Sequence, residues 1–530
     1  MDEQPQAQAG ELKQLAERFI ATEFPDDPTL WEAENLLLKK VPIGEPAWCP
    51  HPEYMGLQYD PKNADDWGPQ HQIRAELLVW LCTNEDARRH VHWRGIEVFA
   101  ADITGSLNLS FANIPLQLAF RECRLREDTN LMRAEVSQLN LAGSAVKAIW
   151  ADGITVENMV FLRYGFTAEG EVRLPGAQIG GDLDCSAGTF TNEGYTALSA
   201  DGIRVKGRVF LSDGFTANGE VRLQGAQIDG RLNCSRGIFS NRTGRALNAN
   251  RAAVNASVFL NDGFAAEGEV YLSGARIGGA FNCRNGDFQR ATLALTDVSA
   301  GTLVDSGLND PADPNPTMWP QQGKLLLDGF TYGRISSEGR INIDKRLRWL
   351  GLQTNSPFRR QPYLHLAKVL RESGDPKGAL RVLETMQDIR RKNEEPGPVA
   401  RVWNFILKYS IGYGYYPGRA IGALAILIVL GWSIYWGSYH AQTMAPTDKE
   451  AYQEFKQQQL PPHYPLFSPF IYSLENSLPL VKLGQADKWQ PDPAAASGHL
   501  LIWFVRIQIL LGWLLATFFV AGVSGIVHRE

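Results

Sequence analysis

Three cysteines are the residues of this chain whose type and spacing could do chemistry. Cys185, Cys234 and Cys283 close three near-copies of one phrase: EVRLPGAQIGGDLDC at 171–185, EVRLQGAQIDGRLNC at 220–234 and EVYLSGARIGGAFNC at 269–283. Thiols returning every 49 residues could belong to a repeated metal or redox site. Their surroundings argue for a different role. Val160-Phe161-Leu162, Val209-Phe210-Leu211 and Val258-Phe259-Leu260 recur with the same period, and each block holds a weaker half-copy of itself. In the alignment of Ile228–Cys234 with Val205–Leu211, leucine stands where the cysteine stands. Leu162, Leu211 and Leu260 thus alternate with the three cysteines. A position shared by Cys and Leu is a core position, because buried cysteine behaves as a small hydrophobe.

The first apolar residue of each half-copy marks a register: Val156, Ile179, Val205, Ile228, Val254 and Ile277, at intervals of 23, 26, 23, 26 and 23. Short apolar–x–apolar runs separated by Gly-rich joints predict brief strands with one face inward, wound as one solenoid coil per mark. A propeller or sandwich is the alternative, but rungs this short with small corner residues favour the coil. Stacked strands lie ~4.7–4.9 Å apart, which puts cysteines two coils apart at roughly 10 Å. A disulfide tolerates Cα atoms no more than about 7 Å apart, so the ladder cannot cross-link itself. Cys49, Cys82 and Cys123 form no CxxC pair, and Cys49-Pro50-His51 is a lone Cys-x-His. No metal and no cofactor is expected.

The elements that hold this ladder follow from the rest of the chain. The expected fold is mainly β with helical and membrane parts. A helical and irregular cap spans 1–94, a right-handed β-helix 95–335, and a helical hairpin of tetratricopeptide style 336–400, with a membrane module over 401–530. Residues 11–40 and 71–90 read as helices, the second to cover the first coil's open edge. Two further helices are expected at about 361–372 and 377–392.

Lys+Arg 52 against Asp+Glu 58 gives a net charge of −6 and no nucleic-acid footprint. The polar start MDEQPQAQAGELKQ lacks the apolar core of a signal peptide. Two uncharged runs, Ala420–Tyr439 and Ile507–Val527, are long enough to cross ~30 Å of hydrocarbon as helices. Arg390, Arg391, Lys392, Arg401, Lys408 and Arg419 precede the first span. The loop 440–498 holds Lys449, Lys456, Lys482 and Lys488 against six carboxylates. The positive-inside rule therefore places residues 1–419 and the C-terminal tail in the cytoplasm.

The stretch 465–484 is too apolar for an ordinary loop and, with its prolines and charges, a poor span. A short helix at about 468–478 followed by a non-helical turn is expected. The candidate residues are Glu475, Pro479, Leu480, Val481, Lys482, Leu483 and Gly484, which either line a pore loop or lie at the membrane interface. Arg506, at the start of the second span, is expected to reach the outer interface. FIYSLENS (470–477) is similar to the pore helix of two-span potassium channels, and LGWLLATFFVAG (511–522) to their inner helix. Where those channels carry ThrValGlyTyrGly, this chain has Leu478-Pro-Leu-Val-Lys-Leu-Gly484, and copies of Lys482 around a pore would repel cations.

IRAELLVWL (73–81), the GFTAEGEVRL and GAQIGG repeats, LLLDGFTY (325–332), QPYLHLA (361–367) and GYGYYPGRA (412–420) resemble one group. It comprises bacterial membrane-associated β-helix proteins with pentapeptide-like repeats and two C-terminal spans, sometimes labelled membrane-associated oxidoreductase. The resemblance implies this fold and a location on a bacterial inner membrane, but no residue with assigned chemistry. The residues do not supply the label's chemistry either. Gly412–Gly418 is GxGxxxG leading into a membrane helix, with no strand before it to present a pyrophosphate. An enzyme of the carbohydrate-active kind would need convergent carboxylates on one face. Asp182 and Asp184 occur in one block only, replaced by Arg231 and Asn233 and by Ala280 and Asn282 in the others. The expected function is a membrane-tethered cytoplasmic binding or assembly platform, or a sensor. A channel-like oligomeric effector is the alternative, with enzymatic use of the solenoid face behind both. Membrane lipid, further copies of the chain, and an unknown cytoplasmic protein or small molecule are the expected partners.

Overall fold

The computed structural model describes residues 3–49, 60–305, 317–336, 341–353, 357–393, 418–457, 459–478 and 481–523. Pro50, His51, Arg401, Lys408, most of the 412–418 glycine phrase, Pro479 and Leu480 lie outside these. The chain forms two compact units, Met1–Asp375 and Pro376–Glu530.

The first unit is a parallel-strand β-solenoid of about nine turns with helices at its ends. One coil reads Thr155–Val156, Val160–Phe161, Thr167–Ala168 and Val172–Arg173, four two-residue strands around a square, before Gln178–Ile179 opens the next. The register marks pair directly: Val156 with Ile179, then Val205, Ile228, Val254 and Ile277 in turn. Parallel stacking on this scale favours apolar residues at the inward strand positions. Ile179, Ile228 and Ile277 are accordingly buried, as are Leu162, Cys185, Leu211, Cys234, Leu260 and Cys283 in alternation.

The alternation of 23 and 26 has a local cause. Thr191 and Thr196 pair with Asn218 and Glu220, so five steps on one coil face two on the next. Ser240 and Arg245 repeat this against Glu267 and Glu269. A second shift follows at once, with Leu198 opposite Val221 and Leu247 opposite Val270, and these surplus residues lengthen the longer coil. Each bulge is closed by an asparagine amide: Asn192 donates to the Thr196 carbonyl at 2.7 Å, and Asn241 to that of Arg245 at 2.9 Å. At the corner before it, Phe166, Phe190, Phe215, Phe239, Phe264 and Phe288 stack one per coil with ring centroids 5.2–5.3 Å apart. Each pair adds about 0.5–1.5 kcal/mol beyond burial. Tyr164, Asp213 and Asp262 reach the ladder through a left-handed turn completed by Gly165, Gly214 and Gly263, whose φ of 90–97° favours glycine.

Both open ends are closed by specific bonds. Helices α1 (Glu3–Glu23) and α2 (Glu32–Lys40) bring Glu34 to Arg74, a wholly buried pair at 2.7 Å. Arg74 also donates to the carbonyls of Asp27 and Thr29 and lies over the Phe24 and Trp31 rings. The expected helix over 71–90 is divided. Gln72–Arg74 joins the sheet beside Asp102–Thr104, and α3 (Ala75–Thr83) and α4 (Glu85–Arg88) follow. Strand pairing wins at 72–74 because the first coil leaves backbone groups there to be satisfied.

At the far end Thr331–Ser336 pairs with Ser299–Val304 and ends the solenoid within a residue of the expected boundary at 335. Helix α5 (Ile343–Leu350) contributes Arg346 to a buried pair with Asp305 at 2.5–2.7 Å. Helix α6 (Gln361–Glu372) then treats the strand edge as a ligand. Gln361 accepts from the Gly329 amide at 3.0 Å and His365 Nε2 from that of Tyr332 at 2.9 Å. Burial holds the His365 imidazole below its usual range, which suits a neutral ring acting as acceptor.

The second unit contains α7 (Pro376–Asn393), α8 (Gly418–His440), α9 (Lys449–Lys456), α10 (Pro469–Ser477) and α11 (Gly498–Val523). Helices α8 and α11 are long and apolar enough to cross a membrane. The second helix begins nine residues before the expected span, so Arg506 lies two turns inside it, exposed, its guanidinium 5.3 Å from the Trp503 ring.

Candidate functional site

The segment between the two apolar helices is folded, with an aromatic core of its own. Met444–Pro446 pairs antiparallel with Trp489–Pro491, and the buried Trp489 ring meets Tyr439, Phe455, Tyr464 and Phe467. Its indole N–H donates to the Pro465 carbonyl at 2.9 Å. Gln485 spans the start of the short helix, its amide accepting from Ser468 N–H at 2.9 Å and donating to Leu466 O at 3.1 Å.

Helix α10 is wedged between α8 and α11 by small residues and one polar cluster. A Cβ at Gly431 of α8 would overlap Ser473 and Gln508, and one at Gly512 of α11 would overlap the Ser477 carbonyl. Gln508, fully buried, accepts from the Tyr435 hydroxyl at 2.5 Å. It donates to the Ser473 and Ser477 hydroxyls at 2.9 and 2.8 Å. Ser473 in turn donates to the Ile428 carbonyl at 2.7 Å. Every member of the cluster is satisfied, the condition under which a polar group is tolerated between apolar helices.

Among the sequence candidates, Glu475 braces the loop. Its carboxylate accepts the backbone amides of Gly484, Gln485 and Ala486 at 3.2, 2.8 and 3.0 Å, which folds the loop back along α10. Val481 is half-buried, while Lys482, Leu483 and Gly484 are exposed. Cys185, Cys234 and Cys283 line the solenoid interior, where burial pushes each thiol far above its usual range and away from the reactive thiolate. Gln508, Tyr435, Ser473, Gly431 and Gly512 were not singled out in the sequence. A lone amide in the run 507–527 was the available signal.

The two solenoid carboxylates of the first block are held in coil-to-coil ion pairs. Asp182 takes Arg208 at 2.7 Å and Asp184 takes Arg163 at 2.8 Å. Burial alone would raise the Asp182 carboxyl, but hydrogen bonds from the Arg208 side chain and amide outweigh it and hold the group below its usual range. A carboxylate so placed cannot serve as a general acid. Among the described residues no group of three or more His, Cys, Asp and Glu is arranged to hold a metal ion.

One cleft of about 340 Å³ opens over the first coils, lined among others by Glu45, Trp93, Arg94, Gln117, Gln138 and Asn158. Trp93 is 74% exposed at its mouth, with the Arg94 guanidinium 5.4 Å from the ring. Gln138 donates to Gln117 at 3.1 Å within the lining. No repeat or motif marks these residues in the sequence. Glu45 is paired with Lys40 at 2.6 Å and Glu97 with Arg121 at 3.6 Å.

Comparison of the chain with protein-family models, with curated proteins and with solved structures gives no match. The fold defines a class: a β-solenoid closed by helices at both ends, carried in one chain with two apolar helices that could span a membrane.

Proposed function

We propose that the protein is a membrane-anchored binding platform or sensor whose solenoid holds a polar ligand in the cleft above its first coils. The observation that supports this reading is the lining of that cleft. An exposed indole, a guanidinium and the amides of Gln117, Gln138 and Asn158 converge there, while the carboxylates lining it are already paired. Indole faces and amide rows suit a small polar molecule with both an apolar side and hydroxyl or amide groups. The sequence resemblance to bacterial membrane-associated β-helix proteins and the cationic flank before α8 support a cytoplasmic solenoid on the inner membrane.

The test is a thermal-shift screen of the full chain in detergent against neutral sugars, sugar phosphates and amino acids. At least one compound should raise the melting temperature of the native chain and leave the Trp93→Ala variant unmoved. A panel without any effect, or an effect that survives Trp93→Ala, contradicts the reading.

A channel-like effector is the second reading, favoured by the position of α10 between two candidate spans. Conductance of the reconstituted chain across a planar bilayer separates the two.

A further inference from the structure

The cleft over the first coils has one charge left over. Its ionisable lining residues are Glu45, Glu97 and Arg94. Lys40 neutralises Glu45 and Arg121 neutralises Glu97. The Arg94 guanidinium has no carboxylate partner among the described residues and lies 5.4 Å from the Trp93 ring. The turn that presents this pair is pinned at both ends. His92 lies so close to Gly44 that a Cβ there would overlap its imidazole, and its Nδ1 accepts the Arg94 amide at 3.3 Å. A Cβ at Gly95 would meet the Gln117 carbonyl oxygen at 2.1 Å. Both glycines have positive φ, 68° and 90°, which favours glycine at each approach. A site fixed before binding loses less affinity to ordering its side chains.

The rest of the lining is neutral and offers hydrogen bonds in both senses. Gln117 accepts from Gln138, which leaves the Gln117 amide to donate and the Gln138 carbonyl to accept. Asn158 donates to the Ser137 carbonyl and hydroxyl, so its own carbonyl is open as an acceptor. Donors and acceptors beside an indole face match a sugar ring, whose hydroxyls do both while its C–H face stacks. The unpaired guanidinium is best met by an anionic group on that ring, because phosphate and carboxylate take arginine in paired, charge-assisted hydrogen bonds. At about 340 Å³ the cleft is at the small end of ligand pockets and suits a single ring.

We propose that the ligand is a monosaccharide carrying one phosphate or carboxylate, held by Trp93 and the neutral amides and selected by Arg94. The proposal rests on the reading of the cleft as a ligand site and names its ligand class. Isothermal titration of the full chain in detergent tests it, with glucose, galactose and mannose, their 6-phosphates, their uronates, and orthophosphate alone. In at least one series a charged sugar should bind about tenfold more tightly than its neutral parent, the 6-phosphate and uronate arms telling phosphate from carboxylate. That preference should shrink at high salt and vanish in Arg94→Gln. Arg204→Gln, at an exposed arginine of a later coil, should keep it. Equal affinities within every series, or a preference that survives Arg94→Gln, overturns the anionic class while the cleft reading stands. Orthophosphate binding as tightly as the best charged sugar overturns the sugar ring. Binding of none of the compounds overturns the cleft reading and the proposal with it.

Discussion

Changing Arg74 to alanine is expected to lower the stability of the solenoid unit by about 3–5 kcal/mol, the cost of leaving one partner of a buried ion pair uncompensated. Glu34 has no solvent exposure, and its carboxylate would keep only the backbone amides of Trp31 and residue 74. The same change frees the carbonyls of Asp27 and Thr29 and removes the cation from between the Phe24 and Trp31 rings. The first coil would then lose the cover over its open edge, where unpaired backbone invites association with other strands. Chemical denaturation of the full chain in detergent, followed by the solenoid's circular dichroism, measures the loss. Glu34→Leu/Arg74→Met should recover much of it, because replacing both charges by apolar groups of similar volume removes the buried orphan. A single substitution costing under 1 kcal/mol would show that the cap is not tied on through this pair.

A second large effect is expected at Gly431. Leucine there must displace Ser473 or Gln508, and either movement breaks the hydrogen-bonded cluster that joins α8, α10 and α11. Overpacking commonly costs 1–3 kcal/mol. With the cluster's bonds lost as well, about 3 kcal/mol or more is expected. Gly422 and Gly437 on the same helix face open space and serve as controls. Leucine at either should leave the unfolding of the module unchanged, whereas Gly431→Leu should shift it strongly. Trp489, at the centre of the aromatic core, provides a fluorescence signal from the module. Equal effects at the three glycines would mean that helix propensity rather than contact decides, and α10 would not be wedged where it is described.

The legible parts of this chain are those that repeat. Inward strand positions favour apolar residues in every coil, so Ile179, Ile228 and Ile277 announce a register that the pairing then follows residue by residue. The Cys–Leu alternation was readable for the same reason. The phenylalanine ladder was half legible: Gly165-Phe166 and its copies stand out, but Phe190, Phe239 and Phe288 follow different neighbours and show their kinship only when stacked. The source of the 23–26 alternation was hidden, because a bulge is defined by the coil it faces.

Features made once, between distant residues, left little trace. Nothing near Gln361 or His365 says that their side chains will satisfy a strand edge some thirty residues away. Gln508 was overshadowed by the charge two residues before it, although Arg506 points outward and Gln508 inward. Glu475 was singled out as a pore or interface residue, and its three amide bonds make it the brace of the loop. The cleft around Trp93 is assembled from turns and successive coils, so no local pattern could mark it.

The central claim is that α10 sits deep between two helices that could span a membrane. Phe470 on its outer side is partly exposed and meets Trp432 of α8 edge-on, with ring centroids 6.2 Å apart. Trp432 is eight residues, about 12 Å, from the His440 end of that helix. A spin label at Phe470→Cys in proteoliposomes, read by its collision rates with oxygen and with a water-soluble nickel chelate, reports that depth directly. The account predicts high oxygen and low nickel accessibility, as for a label in the hydrocarbon region. Nickel accessibility equal to that of a label at Lys449 in α9 would contradict it.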